Sequence, residues 1–126
     1  MTKHPWLELN NWAVLGASTK ETAYGHRITK ALIDGDYKVI PLSPTHEEVE
    51  GLKCYASILD YDGPVDVVDF VVNPMVGLQV LDQLIEKGVK KILLQPGTSS
   101  PALIEKAEAN GIEVLQSCIL VLLAWR

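Results

Sequence analysis

Residues Val65–Val72 read Val-Asp-Val-Val-Asp-Phe-Val-Val, and Asn73-Pro74 follows directly. A strand with one wet face would alternate apolar and polar residues. Here both parities are apolar, the pattern of a parallel strand covered by helices on both sides. Asn73 then suits a helix N-cap and Pro74 the first helical position. From Pro74 to Lys87, Leu78, Leu81 and Ile85 form one stripe with Val80 and Leu84 beside it, while Gln79, Asp82, Gln83 and Glu86 face away. Gly88 stops that helix.

The same alternation extends outward in both directions. Upstream, Trp12–Ala17 is a short apolar run that reads as a buried strand. The spacing of Tyr24, Ile28, Ala31 and Leu32 predicts a helix over Thr22–Asp34, with Gly35 at its C′ position. Tyr37–Leu42 reads as a second strand closed by Pro41 and Pro44. Ser43–Asp62 reads as loop with one short turn near Ser57–Leu59. Downstream come a strand at Lys91–Gln95, a helix opened by Ser100-Pro101 and ended by Gly111, and a strand at Ile112–Gln116. Residues 1–11 read as an N-terminal tail. The apolar tail at 119–126 fits a sixth strand, a helix on the core or a contact between subunits of a homo-oligomer. The order predicts a single α/β domain of three layers, with a mainly parallel five- or six-stranded sheet and right-handed crossovers. Ligands of such sheets bind at the carboxyl ends of the strands, near the switch in strand order.

Composition agrees with one globular domain: 126 residues, 48% hydrophobic and 21% charged. The net charge of −5, with 11 Lys+Arg against 16 Asp+Glu, argues against a nucleic-acid partner. The longest unbroken apolar run, Ile119–Trp125, is far below the roughly 20 residues of a membrane span. The N-terminal residues lack an apolar signal core, and Cys54 and Cys118 have neither disulfide-framework numbers nor metal-ligand spacing. A reducing cytoplasm is the expectation.

Four predicted strand ends carry the candidate site. Gly16-Ala17-Ser18, with Gly25 further on, lets the backbone turn tightly and directs loop and helix-start N–H groups toward a phosphate. Ser18 and Thr19 add hydroxyls, and Lys20 or Arg27 adds charge. Ser18 stands where a GxGxxG motif has its second glycine, and no Walker lysine is present. The second strand closes with Ile40-Pro41-Leu42-Ser43-Pro44, without the acid that an NAD fold uses to hold a ribose diol. Such an uncharged rim flanks an adenine ring; Pro41 and Pro44 also serve simply to end a strand. Val72-Asn73-Pro74 aims a helix N-terminus at the same crevice, although a helix cap needs no ligand. Gln95, before Pro96-Gly97, either reaches into the crevice or satisfies loop backbone groups.

Catalytic signals are thin. His4 falls in the tail, His26 on the first helix and His46 in a loop, each read as a surface histidine. Cys118 reads as a buried small apolar residue and Cys54 as the more exposed thiol. Asp66 and Asp69 read as strand-end or edge residues.

Taken together, Ala13–Ser18, Gly35–Pro44, Gly51–Tyr55, Val65–Phe70, Lys91–Gly97 and Gly111–Cys118 resemble the coenzyme A-binding domain family. That family includes single-domain bacterial CoA-binding proteins, and the pattern is similar to the N-terminal domain of the succinyl-CoA synthetase alpha subunit. The resemblance implies a Rossmann-like fold. It puts the CoA pyrophosphate on Gly16–Ser18, the adenosine near Ser43 and Pro44 and against Val72-Asn73-Pro74, and the pantetheine arm toward Gln95 and Gly97. Family members often follow the second strand with Asn-Pro-Lys/Arg; this chain has Ser43-Pro44-Thr45-His46, so a cation for the 3′-phosphate would come from His46, Lys20 or Lys53. The resemblance carries over binding and not ligase chemistry. The expectation is a non-catalytic module for coenzyme A or an acyl-CoA. The alternatives are an NAD(P)-binding oxidoreductase or redox sensor, and a ligand-free interaction protein.

Overall fold

A computed structural model describes residues 3–125. The elements are β1 (Asn11–Leu15), α1 (Tyr24–Asp34), β2 (Lys38–Leu42), β3 (Glu48–Val49), β4 (Leu52–Lys53), β5 (Val67–Phe70), α2 (Pro74–Lys87), β6 (Lys91–Leu94), α3 (Pro101–Ala109), β7 (Glu113–Gln116) and α4 (Ile119–Ala124). The main sheet is five-stranded and parallel, in the order β2-β1-β5-β6-β7. From β1 the chain builds first toward β2 and then, from β5, in the opposite direction. The switch in strand order therefore falls between β1 and β5, the ligand-binding position of a Rossmann-like sheet.

The two apolar parities of each strand feed two cores. On one face Ala13, Leu15, Val68, Phe70, Ile92 and Leu94 pack with Leu81 and Leu84 of α2 and Leu103 of α3. On the other, Trp12, Val14, Val67 and Leu93 pack with Ile28 and Leu32 of α1 and Ile119 of α4. This is the three-layer α/β architecture expected from Val65–Val72.

Local chemistry sets the element ends. Asn73 caps α2 by accepting from the Val76 N–H (2.9 Å), and Ser100 caps α3 by accepting from the Leu103 N–H (3.2 Å), each with proline in the first turn. Pro41 does not close its strand but sits inside β2. β2 is the sheet edge, where a missing N–H leaves no ladder bond unmade.

Two further readings change, and one left open is decided. The stretch 43–62 contains a β3–β4 hairpin, turned by Glu50 and Gly51 at φ 51° and 77°, and Tyr55 bridges to Leu42. The N-terminal segment is not a free tail: Pro5–Glu8 form a 3-10 turn with Trp6 and Leu7 buried, and the Tyr37 hydroxyl donates to the Leu7 carbonyl at 2.6 Å. The C-terminal tail is a helix and not a sixth strand, with Ile119 buried while Val121 and Trp125 stay exposed.

Candidate functional site

The carboxyl ends of β1, β5 and β6 open into a cleft of about 460 Å³. Gly16, Gly25, Val72, Asn73, Gln95 and Gly97 line it, bringing together residues that are up to 81 positions apart in the sequence (97 − 16). Ala23, Tyr24, Val71, Pro96 and Thr98 complete the lining.

Two glycines make this geometry. Gly16 ends β1 at φ 101°, and a Cβ there would lie 2.5 Å from the Val71 carbonyl oxygen. A Cβ on Gly25 would lie 1.9 Å from the Gly16 carbonyl oxygen. Only bare backbone at both positions lets the start of α1 sit against the β1 corner.

The donors differ from those expected. The Gly16 and Ala17 N–H groups both donate to the Leu42 carbonyl (3.0 and 3.2 Å), so they tie the corner to β2. Ser18 Oγ accepts from the Lys20 N–H at 3.1 Å. Ala17, Ser18, Lys20, Pro41 and Pro74 do not line the cleft. The start of α1 lines it instead, through Ala23, Tyr24 and Gly25. Asn73 and Ser100 cap α2 and α3 with their side chains, whereas Ala23 at the N-cap of α1 has none to offer. The Tyr24 and Gly25 N–H groups of that first turn are left for a ligand, with the positive end of the helix dipole behind them, while the His26 N–H donates to the Ala23 carbonyl at 3.1 Å. Tyr24, expected on the buried stripe of α1, is 60% exposed and stacks under Arg27, whose guanidinium carbon is 5.1 Å from the ring centre.

Ser43 and Pro44 line a separate cleft of about 610 Å³ with His46, Glu47, Lys53 and Cys54. His46 Nδ1 lies 3.1 Å from both Ser43 Oγ and Thr45 Oγ1, which orders this rim. Of the three candidate cations, His46 and Lys53 reach the cleft and Lys20 does not. Burial pushes the Cys54 thiol above its ordinary value, and its Sγ lies 3.9 Å from the Ser43 carbonyl. Cys54 is therefore buried, not exposed, and Cys118 is only half-buried.

His26 is buried, not a surface residue; its Nε2 lies 2.5 Å from Glu50 Oε1 and pins the β3–β4 turn to α1. Asp66 holds the strand end as expected, accepting from the Asn11 N–H and Nδ2. Asp69 is the larger correction: it sits inside β5, wholly buried, between Val14 and Leu93 in register. Burial pushes its carboxyl up to about 8, against one opposing hydrogen bond from Gln95 Nε2 at 2.7 Å. Sequence reasoning missed Asp69 because an acid in a valine run looks like a strand end, as Asp66 of the same run is. The signal was its place in the middle of the run, where helices cover both faces. Gln95 does not bond the loop backbone through its side chain. Its carbonyl does so, accepting from Thr98 N–H (3.1 Å) and Oγ1 (2.7 Å). No group of three metal-ligating side chains occurs among the described residues. No described helix is long and apolar enough to cross a membrane.

Sheet order and cleft define a doubly wound parallel α/β domain with its ligand position at the switch point. The CoA binding domain family model matches residues 10–124, and the chain belongs to that family. It is 40% identical over 78 residues to an ADP-forming acetate–CoA ligase of Methanocaldococcus jannaschii, covering 62% of this chain but 11% of the ligase. Among solved structures it resembles a hypothetical protein from Pyrococcus horikoshii (TM-score 0.89, 32% identity, 93% of this chain and 84% of that one). It also resembles a conserved hypothetical protein from Pyrococcus furiosus (TM-score 0.85, 41% identity, 89% and 97%). A match in Bacillus subtilis, an uncharacterized protein 39% identical over 57 residues (45% of this chain and 42% of that one), stands beside these archaeal ones.

Proposed function

We propose that this chain binds coenzyme A or an acyl-CoA as a module without chemistry of its own, with the diphosphate at the uncapped start of α1. The carrying observation is the pairing of that helix end with Gly16 and Gly25, which hold it at the switch point with no side chain in between. The pantetheine arm then runs along Gln95 and Gly97, and the adenosine toward Val72 and Asn73 or the Ser43–Pro44 rim. Attraction for a polyanion is local in an acidic chain: helix-end amides, Lys53 and His46. Family membership supports the ligand class.

An NAD(H) reading has one observation in its favour. Glu47 puts a carboxylate on the second cleft, although that cleft also holds Lys53. Isothermal titration with CoA, dephospho-CoA and NAD at about 0.1 mM protein separates the two, since even millimolar affinity is about 4 kcal/mol. The CoA reading expects heat from both CoA forms and none from NAD. NAD binding with both CoA forms inert overturns it.

A further inference from the structure

We propose that Asp69 is a positioning residue whose charge decides which end of the Gln95 carboxamide faces the cleft. The identity of the ligand group that meets Gln95 rests on the CoA reading; the switch itself does not.

Among the described residues no cation pairs with Asp69. Its flanking strands β1 and β6 carry one ionisable residue, Lys91, which pairs with Glu113 at 3.2 Å. α1, on the same face of the sheet, engages its own charges elsewhere: His26 with Glu50, Arg27 with the Tyr24 ring, Lys30 with Asp34 at 3.4 Å. α4 carries none. Among the described residues Gln95 Nε2 is the one partner of Asp69 Oδ1, and Oδ2 is buried with none.

Gln95 is held at its backbone by the Thr98 bonds, is 5% exposed, and still lines the cleft. Its carboxamide retains one freedom, a half-turn that exchanges oxygen and nitrogen. A charged Asp69 only accepts hydrogen bonds, so it takes an Nε2 hydrogen and leaves Oε1 for the cleft. The structure holds Nε2 against Oδ1 at 2.7 Å, a contact that a charged Asp69 requires and that the carbonyl oxygen of a neutral one also permits. A neutral Asp69 has a hydroxyl to donate. Donated to Oε1, it turns Nε2 and its two hydrogens toward the cleft. The first state suits a ligand N–H, such as an amide of the pantetheine arm; the second suits a ligand carbonyl. Burial brings this exchange to about pH 8, within reach of ordinary conditions.

The test begins on the ligand-free protein, by NMR of the Gln95 side-chain amide and the Asp69 carboxyl carbon from about pH 6 to about pH 10. Both signals are expected to move together in one step near pH 8. Asp69→Asn should abolish the amide step, and Gln95→Leu should move the carboxyl midpoint upward by removing its one stabilising hydrogen bond. An amide signal that stays constant, or a step that persists in Asp69→Asn, overturns the switch. CoA titrations across the same range then test its consequence: a change in Kd of about threefold or more across the step, absent in Asp69→Asn. An NMR step with equal CoA affinity on both sides overturns the link to the ligand. An NMR step with no CoA binding at any pH supports the switch and counts against the CoA reading alone.

Discussion

The carbonyl oxygen of Gly16 occupies the space that a Cβ on Gly25 would need: the two would be 1.9 Å apart. The first turn of α1 therefore rests on the backbone of the corner that ends β1. This contact, rather than the amides of the corner itself, sets where helix-end donors stand relative to β5. Gly16 and Ala17 spend their own N–H groups on Leu42 and so lock β1, β2 and the corner into one unit.

Gly25→Ala should cost roughly 1–3 kcal/mol, because the clash is with backbone that has no rotamer to change. Gly16→Val should also destabilise, since φ 101° is foreign to valine and its Cβ would meet the Val71 oxygen at 2.5 Å. The sequence alone presents Gly16 as a position for close ligand approach; the structure makes it a folding position too. Urea denaturation measures both variants. Wild-type stability in either would show that the corner relaxes freely.

Asp69 makes stability depend on pH in an unusual direction. The folded chain holds its proton up to about pH 8, while the ordinary value is 3.8. Between those limits the folded state binds more protons, so this contribution is greatest at low pH and is lost as pH rises through about 8. Its limiting slope is about 1.4 kcal/mol per pH unit. Denaturant melts of wild type and Asp69→Asn at intervals between about pH 5 and about pH 8 should diverge, with the variant gaining on the wild type as pH rises. Parallel curves would remove Asp69 as the cause.

Lys53 and His46 share the second cleft with Ser43 and Pro44. If the CoA 3′-phosphate sits there, Lys53→Ala should weaken CoA by about fivefold, near 1 kcal/mol for an exposed charge contact, and leave dephospho-CoA nearly unchanged. Equal losses for both ligands would place that phosphate away from Lys53.

Native alkylation should distinguish the cysteines. Burial withholds Cys54 from reagent and from ionisation, while Cys118 is half-buried at the start of α4. Peptide mass mapping after brief iodoacetamide treatment should find label on Cys118 first. Faster labelling of Cys54 would mean that the Ser43–Cys54 region opens readily.

Features carried by short-range chemistry are legible in the sequence. Asn73-Pro74 and Ser100-Pro101 mark the starts of α2 and α3 because a cap and its proline act within one turn. The start of α1 is blurred for the converse reason. It has no side-chain cap, and periodicity alone places it at Thr22, two residues before Tyr24. The β3–β4 hairpin escapes because strands of two residues have no period to read. The site is legible as a set of strand ends, since parallel topology fixes which ends meet. Its division into two clefts, and the Asp69–Gln95 contact across 26 residues, depend on packing between strands and leave no local mark.

In the proposed complex the uncapped start of α1, seated on Gly16 through Gly25, receives a diphosphate. A crystal structure of the protein with CoA tests it most directly. Phosphate oxygens are expected within hydrogen-bond reach of the Tyr24 and Gly25 N–H groups, with the pantetheine arm passing Gln95. Bound CoA whose diphosphate lies elsewhere, with the α1 amides facing only solvent, would contradict it.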